Sequence, residues 1–469
     1  MNLNDFLDED YRYKWYILQI LEIKKIDFYS LGKLMEVTGL SKYRVEKYLE
    51  EIVLDSFEIG ETVAIQLDLN GEIHSTGLDN LFLKKMRLHY LEESNKFKIF
   101  KELLLGKENS VEKISQKVYI SKTKIYEELK ELKEILNQES IEIRNLKLRG
   151  EELTIRTFVF SIFYDFYNGI RLPFTPEMTK EVNEFSQKFI LEKNVYLQKT
   201  QEFKLELYVG ISMFRTARNN FIKESPVLLS EDTFPFYYRK LTKNVKELKT
   251  EVAMLNFFCY IEQIVSDDEI RIVSSRKEKL VEEITSRFLV NIKNIELKSS
   301  LNFEKIQSEL TRINRRWLYF HFEETTFIHE NKESYFQEIY PVVDKLIRTF
   351  LNTNECEENF KSIEEKTKIY YDYFFLLITE IPLKYLEAPL YICIDFSPGK
   401  QYNAFIQSSI ESFRSMNVVF ENRISKSTQL YISDFVVDKL VCPQIIWKSP
   451  PSSNDWKEFG DLIVSIKAN

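Results

Sequence analysis

Between Ser30 and Ile52 the chain reads SLGKLMEVTGLSKYRVEKYLEEI, and few local folds suit that order of residues. Ser30 is placed to cap a short helix whose apolar face is Leu31, Leu34 and Met35. Gly39, in Thr38-Gly39-Leu40-Ser41, suits the positive φ of a tight helix–helix turn. Ser41 then caps a second helix that turns Val45, Leu49 and Ile52 inward at helical spacing. Its other face carries Lys42, Tyr43, Arg44 and Lys47. A short helix, a glycine turn and a second helix with a basic leading edge form the helix-turn-helix layout, whose second helix lies in the major groove of DNA. Val63 to Leu69 alternates, Asn70-Gly71 is a hairpin turn, and Glu72 to Thr76 returns as a strand. A hairpin directly after a recognition helix reads as a wing.

The layout recurs. Phe97 to Leu105 has an apolar stripe, Ser110 caps VEKISQKVY, and a turn is expected at Ile120-Ser121. The following helix, KTKIYEELKELKEIL, directs Ile125, Leu129, Leu132 and Leu136 inward and shows Lys122, Thr123, Lys124 and Tyr126 near its start. Ile141 to Ile155 alternates again with a turn expected at Gly150, and Arg144, Lys147 and Arg149 give this second wing a positive tip. Lysines and arginines at these positions neutralise phosphates, while Tyr43 and Thr123 suit contacts to backbone or bases. A tandem pair, each with its own hairpin, is far more specific than one helical hairpin. Glu46, Glu127 and Glu128 hold down the net positive charge, so binding should be modest and salt-sensitive.

The whole chain is acidic, with a net charge of -8 over 469 residues, which argues against nonspecific coating of nucleic acid. Only 11 glycines and 11 prolines punctuate it, which favours long helices over a turn-rich β architecture. Cys259, Cys356, Cys393 and Cys442 form no C-x-x-C pair, so a zinc site is not expected and reduced thiols are. The acidic start, MNLNDFLDEDYRYKW, has no apolar core of the kind a signal peptide needs. The most apolar run, Tyr370 to Leu386, is broken by Asp372, Glu380 and Lys384 and reads as a bundle helix rather than a membrane span. A cytoplasmic protein without membrane contact is expected.

From Phe158 to about Leu386 the pattern is helical, with stripes over Thr200 to Asn219, Glu251 to Val265, Ser275 to Asn294, Phe303 to Phe322, Ser334 to Leu351 and Asn359 to Ile381. Two bundles are expected, 166–270 and 271–386, with the acidic Ser266 to Glu269 stretch at the joint. Of four histidines, His74 sits in the first wing and His89 in a linker helix. His321 and His329 lie in RRWLYFHFEETTFIHEN, where two arginines would favour a phosphate. No cysteine or aspartate cluster completes a metal site with either histidine, and no cofactor is expected.

From Ala388 the texture changes. Leu390 to Phe396 is a buried-strand run, Ser397 to Lys400 a turn, Gln401 to Arg414 an amphipathic helix. Val418 to Phe420, Gln429 to Val436 and Gln444 to Trp447 are further strands, and Ser453 to Lys467 a closing helix. The alternation implies a small parallel-sheet domain whose loop after the first strand is the phosphate position of such folds, although no P-loop spacing is present. No nucleophile–base–acid set can be assembled, so an enzyme is not expected.

In order of parts, the chain resembles the Mga/AtxA group of virulence regulators of Gram-positive bacteria. KLRGEELTIRTFVFSIFYDFY, Lys147 to Tyr167, is similar to that family's exit from the second wing into the first helical domain. The resemblance implies a mainly α, multidomain chain: winged helix-turn-helix units at 1–80 and 81–165, two bundles resembling phosphotransferase-system regulation domains (PRD), and an α/β domain at 387–469 resembling enzyme IIB (EIIB). It implies a DNA-binding regulator, an activator working as a homodimer on promoter DNA and tuned by a phosphocarrier protein. Tyr208 stands where such domains often carry a phosphorylated histidine, so the first bundle departs from the pattern. His321 and His329 are the candidate phosphoacceptors of the second. Ser397-Pro398-Gly399 stands where enzyme IIB carries its cysteine, which implies that fold without its phosphotransfer. A phosphotransferase component and an RNA-binding antiterminator are the alternatives. The first is disfavoured by the missing cysteine, the second by a helical rather than all-β start.

Overall fold

A computed structural model describes residues 3–23, 29–105, 110–229, 235–266, 271–293, 302–320, 333–353, 363–382, 386–413, 416–448 and 450–468. The chain is mainly helical and multidomain, with a small parallel sheet near its C-terminal end. It divides into two compact units, Met1–Ser274 with Tyr319–Glu323, and Ser275–Leu318 with Glu324–Asn469. Among the described residues no helix is long and apolar enough to cross a membrane.

The first unit opens with α1 (Glu9–Ile23), β1 (Tyr29–Ser30), α2 (Leu31–Thr38) and α3 (Lys42–Glu58). Ser30 accepts the Lys33 N–H and Ser41 the Arg44 N–H, so each helix begins on its own serine cap. Gly39 takes φ 68° between them and donates to Met35 O. Val45, Leu49 and Ile52 are buried as expected, joined by Tyr48. The wing is β2 (Ala64–Leu67) and β3 (Glu72–Thr76), and β1 pairs with β3 to make a three-stranded sheet in the order β1-β3-β2.

After α4 (Asn80–Glu93) the chain repeats this plan in α5 (Asn95–Leu105), α6 (Val111–Val118), α7 (Lys122–Gln138), β4 (Glu142–Arg144) and β5 (Lys147–Arg149). Ser110 and Ser121 cap α6 and α7 as Ser30 and Ser41 cap α2 and α3, at one constant offset along the chain. Two turns differ from expectation. The helices turn at Tyr119, in left-handed geometry at φ 56°, rather than at Ile120-Ser121. The second hairpin reverses at Asn145 and Leu146, φ 51° and 54°, rather than at Gly150. Positive φ at both central residues is the type I′ signature of a two-residue hairpin, and here a leucine accepts it. Gly150 therefore follows the hairpin, and the acidic Glu151-Glu152 pair opens a helix instead of extending a strand.

That helix, α8 (Glu152–Tyr167), is buried nearly all round and is followed by α9 (Pro176–Lys193), α10 (Lys199–Thr216) and α11 (Val245–Ile261). The segment after α8 is held against α10 at Gly210, where any Cβ would stand 2.2 Å from the Phe174 ring. A four-member charge network joins three of these helices. Arg156 grips Glu251 with two nearly parallel bonds, 2.6 and 2.8 Å, and reaches Glu152 at 3.0 Å. Arg215 holds both oxygens of Glu152 at 2.9 and 2.7 Å. Arg156 also donates to Ser212 and to Asn220 O, and Glu251 accepts the Ile222 N–H. The short β6 (Val227–Leu228) and β7 (Arg271–Ile272) pair antiparallel beside the bundle.

The second unit contains α12 (Arg276–Lys293), α13 (Phe303–Phe320), α14 (Glu333–Ile339), α15 (Pro341–Leu351) and α16 (Ile363–Glu380). The stripe read as one helix over Ser334 to Leu351 is two, because Pro341 has no N–H to continue the first and starts the second. Phe288, Phe350 and Tyr373 pack edge-to-face and tilted against one another in its core, and the buried Tyr373 hydroxyl donates to Asn314. The terminal domain runs β8 (Leu390–Ile394), α17 (Lys400–Glu411), β9 (Val418–Glu421), β10 (Leu430–Ser433), β11 (Gln444–Ile446) and α18 (Ser453–Ala468). Its four strands are all parallel in the order β11-β10-β8-β9.

Two stability outcomes are expected. Glu251→Ala leaves Arg156 charged and buried without its bidentate partner, and should cost about 3–5 kcal/mol, read as an earlier urea transition of the first unit. Glu206 on α10 is pushed up to about 7 by burial and by Glu202, from an ordinary value near 4.5. The folded state then binds that proton more tightly than the unfolded one, so stability should fall as pH rises between these values. Glu206→Gln should flatten that slope in denaturation series run across the same window.

Candidate nucleic-acid interface

The start of α3 presents Lys42 and Tyr43 to solvent, with the Tyr43 ring 75% exposed. Lys42 pairs loosely with Glu46 at 3.7 Å, and Lys47 with Glu51 at 3.5 Å. Exposed pairs of this kind contribute about 0–1 kcal/mol, so a DNA phosphate can displace the carboxylate. Arg44 is placed differently. It donates to the Tyr48 hydroxyl at 2.8 Å, lies 3.5 Å from Asp10 and 3.7 Å from Glu9, and stacks over Tyr13 and Tyr48. It is thereby turned toward the start of α1, and the bond to Tyr48 raises its guanidinium pKa.

The second helix-turn-helix repeat is arranged in the same way. Lys122 is exposed and pairs with Glu112 at 2.7 Å, while Thr123 and Tyr126 face solvent. Lys124, which corresponds to Arg44, bonds Glu128 at 2.8 Å and approaches Glu127 at 3.6 Å. The Glu128 bond raises the Lys124 pKa. Lys124 shares a polar cleft of about 530 Å³ with Asp8, Glu9 and Asp10. The structure thus separates the expected residues into two groups. Lys42, Tyr43, Lys47, Lys122, Thr123 and Tyr126 face outward, whereas Arg44 and Lys124, though 42% and 45% exposed, are also tied to hydrogen-bond partners of the protein itself, Arg44 to Tyr48 and Lys124 to the buried Glu128.

In the second wing Arg144 and Lys147 are register partners that flank the turn, and Arg149 stands opposite Glu142 at the other end of the hairpin. All three are exposed, and Arg144 pairs with Glu142 at 2.5 Å. The first wing has no such tip. Asp68 there accepts the N–H groups of Asn70 and Glu72 at 2.8 Å each, which holds its carboxyl below the usual range. Asp68, Glu72 and His74 are close enough to suggest a metal trio, but the Asp68 bonds are those of the turn itself. His89 lies 3.3 Å from Glu58.

Tyr119 was missed by sequence reasoning. It is 95% exposed, on the turn between α6 and α7, in a backbone conformation that costs a bulky residue free energy. No local signal announces it, because the residue that would mark such a turn is glycine.

Elsewhere the expected phosphate chemistry meets obstacles. Tyr208 is buried in the first bundle and stacked 4.1 Å from Phe258, and burial pushes its hydroxyl pKa up. Cys393 is buried in β8, and burial pushes its thiol up to about 11. At the loop after β8, the Ser397 N–H and hydroxyl both donate to the Asp434 carboxylate, at 2.8 and 3.1 Å. A carboxylate already occupies those donors. Cys259 is buried and Cys442 half-buried. His321, His329 and Cys356 lie outside the described residues.

Residues 79–163 match the family model of the Mga helix-turn-helix domain, a span that runs from the start of α4 into α8. That match supports a Mga-type regulator, and the matched domain is of a DNA-binding transcription-regulator type. No curated protein matches the chain.

Tyr119→Gly removes the left-handed strain and should stabilise the fold by roughly 0.5–1 kcal/mol, after the entropic cost of a glycine. A shift of the urea midpoint to higher concentration checks this; a shift to lower concentration would mean that the ring makes compensating contacts.

Proposed function

We propose that this Mga-type regulator is a sequence-specific transcription activator that binds promoter DNA as a homodimer in the cytoplasm. The observation that carries the reading is the repetition of one presentation. Two serine-capped helices at one constant offset expose Lys42-Tyr43 and Lys122-Thr123 at matching positions. Arg144, Lys147 and Arg149 on the second wing add positive charge for an adjacent stretch of backbone. Helix starts of this kind enter the major groove, while the flanking lysines set orientation through phosphates.

The rest of the reading follows the resemblance to the Mga/AtxA group. The helical regions between α8 and α16 act as PRD-like sensing modules, at 166–270 and 271–386. The terminal parallel-sheet domain, 387–469, acts as an EIIB-like pairing module without phosphotransfer. Buried Cys393 and the Asp434-occupied loop support that last point, since neither a thiolate nor a vacant anion cradle is offered. A phosphocarrier protein would act through His321 or His329, because Tyr208 cannot form a phosphohistidine. Labelling of the chain by a phosphorylated carrier, lost in His321→Ala or His329→Ala, tests this part.

The DNA reading is tested by gel shift on AT-rich promoter fragments. Lys42→Ala with Lys122→Ala should weaken binding to all duplexes alike. It should also reduce the slope of log affinity against log salt by about 2 per protomer, near 0.9 for each phosphate that is no longer neutralised. Lys124→Ala should do less, because the Glu128 carboxylate that holds it is buried, whereas the Glu112 carboxylate that pairs with Lys122 is exposed and easily displaced. Unchanged duplex affinity in the double variant would sink the assignment of these helices to the groove.

A further inference from the structure

A large charged feature of the first unit lies outside the starts of α3 and α7. It is a cleft of about 1480 Å³, with walls from α9, from the end of α10 and from the 3₁₀ turn Phe236–Lys240 that precedes α11. Six cationic side chains line it: Lys117, Lys188, Arg218, Arg239, Lys240 and Lys243. Glu181 is the acid among its described lining residues. Two of the cations are spoken for, Lys240 by Glu184 at 2.8 Å and Lys117 by Glu102 at 2.6 Å. Arg218 lies flat on Phe214, 3.8 Å from the ring centre, and donates to that residue's carbonyl. Among the described residues Lys188, Arg239 and Lys243 form no ion pair within 4 Å, and Lys188 acts on Glu184 only through space. A concavity lined by one sign of charge focuses the field and concentrates ligands of the opposite sign.

The rest of the lining narrows the anion's class. Phe214, Phe221, Phe236 and Tyr237 face the same space, and the Phe236 ring is 83% exposed with Arg239 over it. Aromatic surface beside guanidinium and ammonium groups suits a molecule with a flat or apolar body and a charged end. The cleft reaches down to the buried Met213, Thr216 and Thr242, a depth that a duplex backbone does not enter. Small-molecule sites usually measure about 300–1,000 Å³, so this one accommodates a nucleotide-sized ligand with water.

We propose that this cleft binds an organic phosphate ester, with its phosphate on Lys188, Arg239 and Lys243 and its body against Phe214, Phe236 and Tyr237. The binding stands independently of how the protein grips DNA. It also has a route to that grip, because Lys117 belongs to α6 of the second helix-turn-helix unit. A ligand in the cleft would touch the DNA-binding part and the bundle together.

The test is calorimetric titration of the full chain with ATP and with glucose 6-phosphate, with inorganic phosphate as the comparison. Saturable binding of at least one ester is expected, with inorganic phosphate at least tenfold weaker. Lys188→Ala, Arg239→Ala and Lys243→Ala combined should weaken the ester at least tenfold while leaving the melting temperature unchanged, since all three side chains are exposed. Phe236→Ala, also exposed, should weaken the ester and leave inorganic phosphate unaffected. Failure of both esters to saturate would overturn the proposal, as would wild-type ester affinity in the triple variant or equal binding of inorganic phosphate. A triple variant that keeps its ester but loses duplex affinity, with a salt slope reduced by about 3 per protomer, would make the cleft part of the DNA surface and equally overturn it.

Discussion

Four charged side chains with almost no access to water set the terms for the first unit. Arg156, Glu152, Arg215 and Glu251 carry two positive and two negative charges, and each is between 1% and 10% exposed. Such a group is tolerated only when every lone pair and proton is used, and here the guanidinium of Arg156 meets four separate acceptor groups. The network fixes α8 against α10 and α11 at one register. Since α8 starts three residues after the second hairpin ends, the register of the bundle is also the register of the wing.

A second charged arrangement holds the front of the molecule. The acidic opening of α1 lies near the starts of both α3 and α7, and Arg44 and Lys124, which approach it, occupy equivalent places in the two repeats. One stacks on tyrosines and the other joins a polar cleft, and both remain partly exposed while held by groups of the protein itself. The outward face is left to shorter-range decisions by Lys42, Tyr43, Lys122 and Thr123. This division explains how an acidic chain can present basic helix starts: the acids are largely spent on cations of the protein itself.

Much of this was legible in the sequence. Serine caps, the apolar faces of α3 and α7 and the strands of the terminal sheet are local properties, and local rules located them to within a few residues. The Mga resemblance was carried by a motif whose glutamate and arginine prove to be members of the buried network. What local rules could not reach was non-local or unusual. Tyr119 and Leu146 take conformations normally left to glycine or asparagine, so composition misplaced both turns. Arg44 reads as a basic residue of the helix start alone, and its approach to Asp10, far back along the chain, is visible only in the fold. The phosphate loop of the terminal domain reads as available until Asp434, on another strand's exit, closes it. The basic cleft combines residues from α6 to the start of α11, a grouping that no window of sequence displays.

The path from hairpin to bundle has a consequence for how this chain can change. An α-helix advances by about 100° per residue, and α8 is committed at its first turn to Arg156 and along its length to a ring of buried aromatics. One residue gained or lost between Glu152 and Arg156 would swing one set of partners a quarter-turn or more away from the other. Insertions in this family of shapes should therefore gather in the loops on either side of α8, and the helix itself behaves as a gear tooth whose phase is inherited whole.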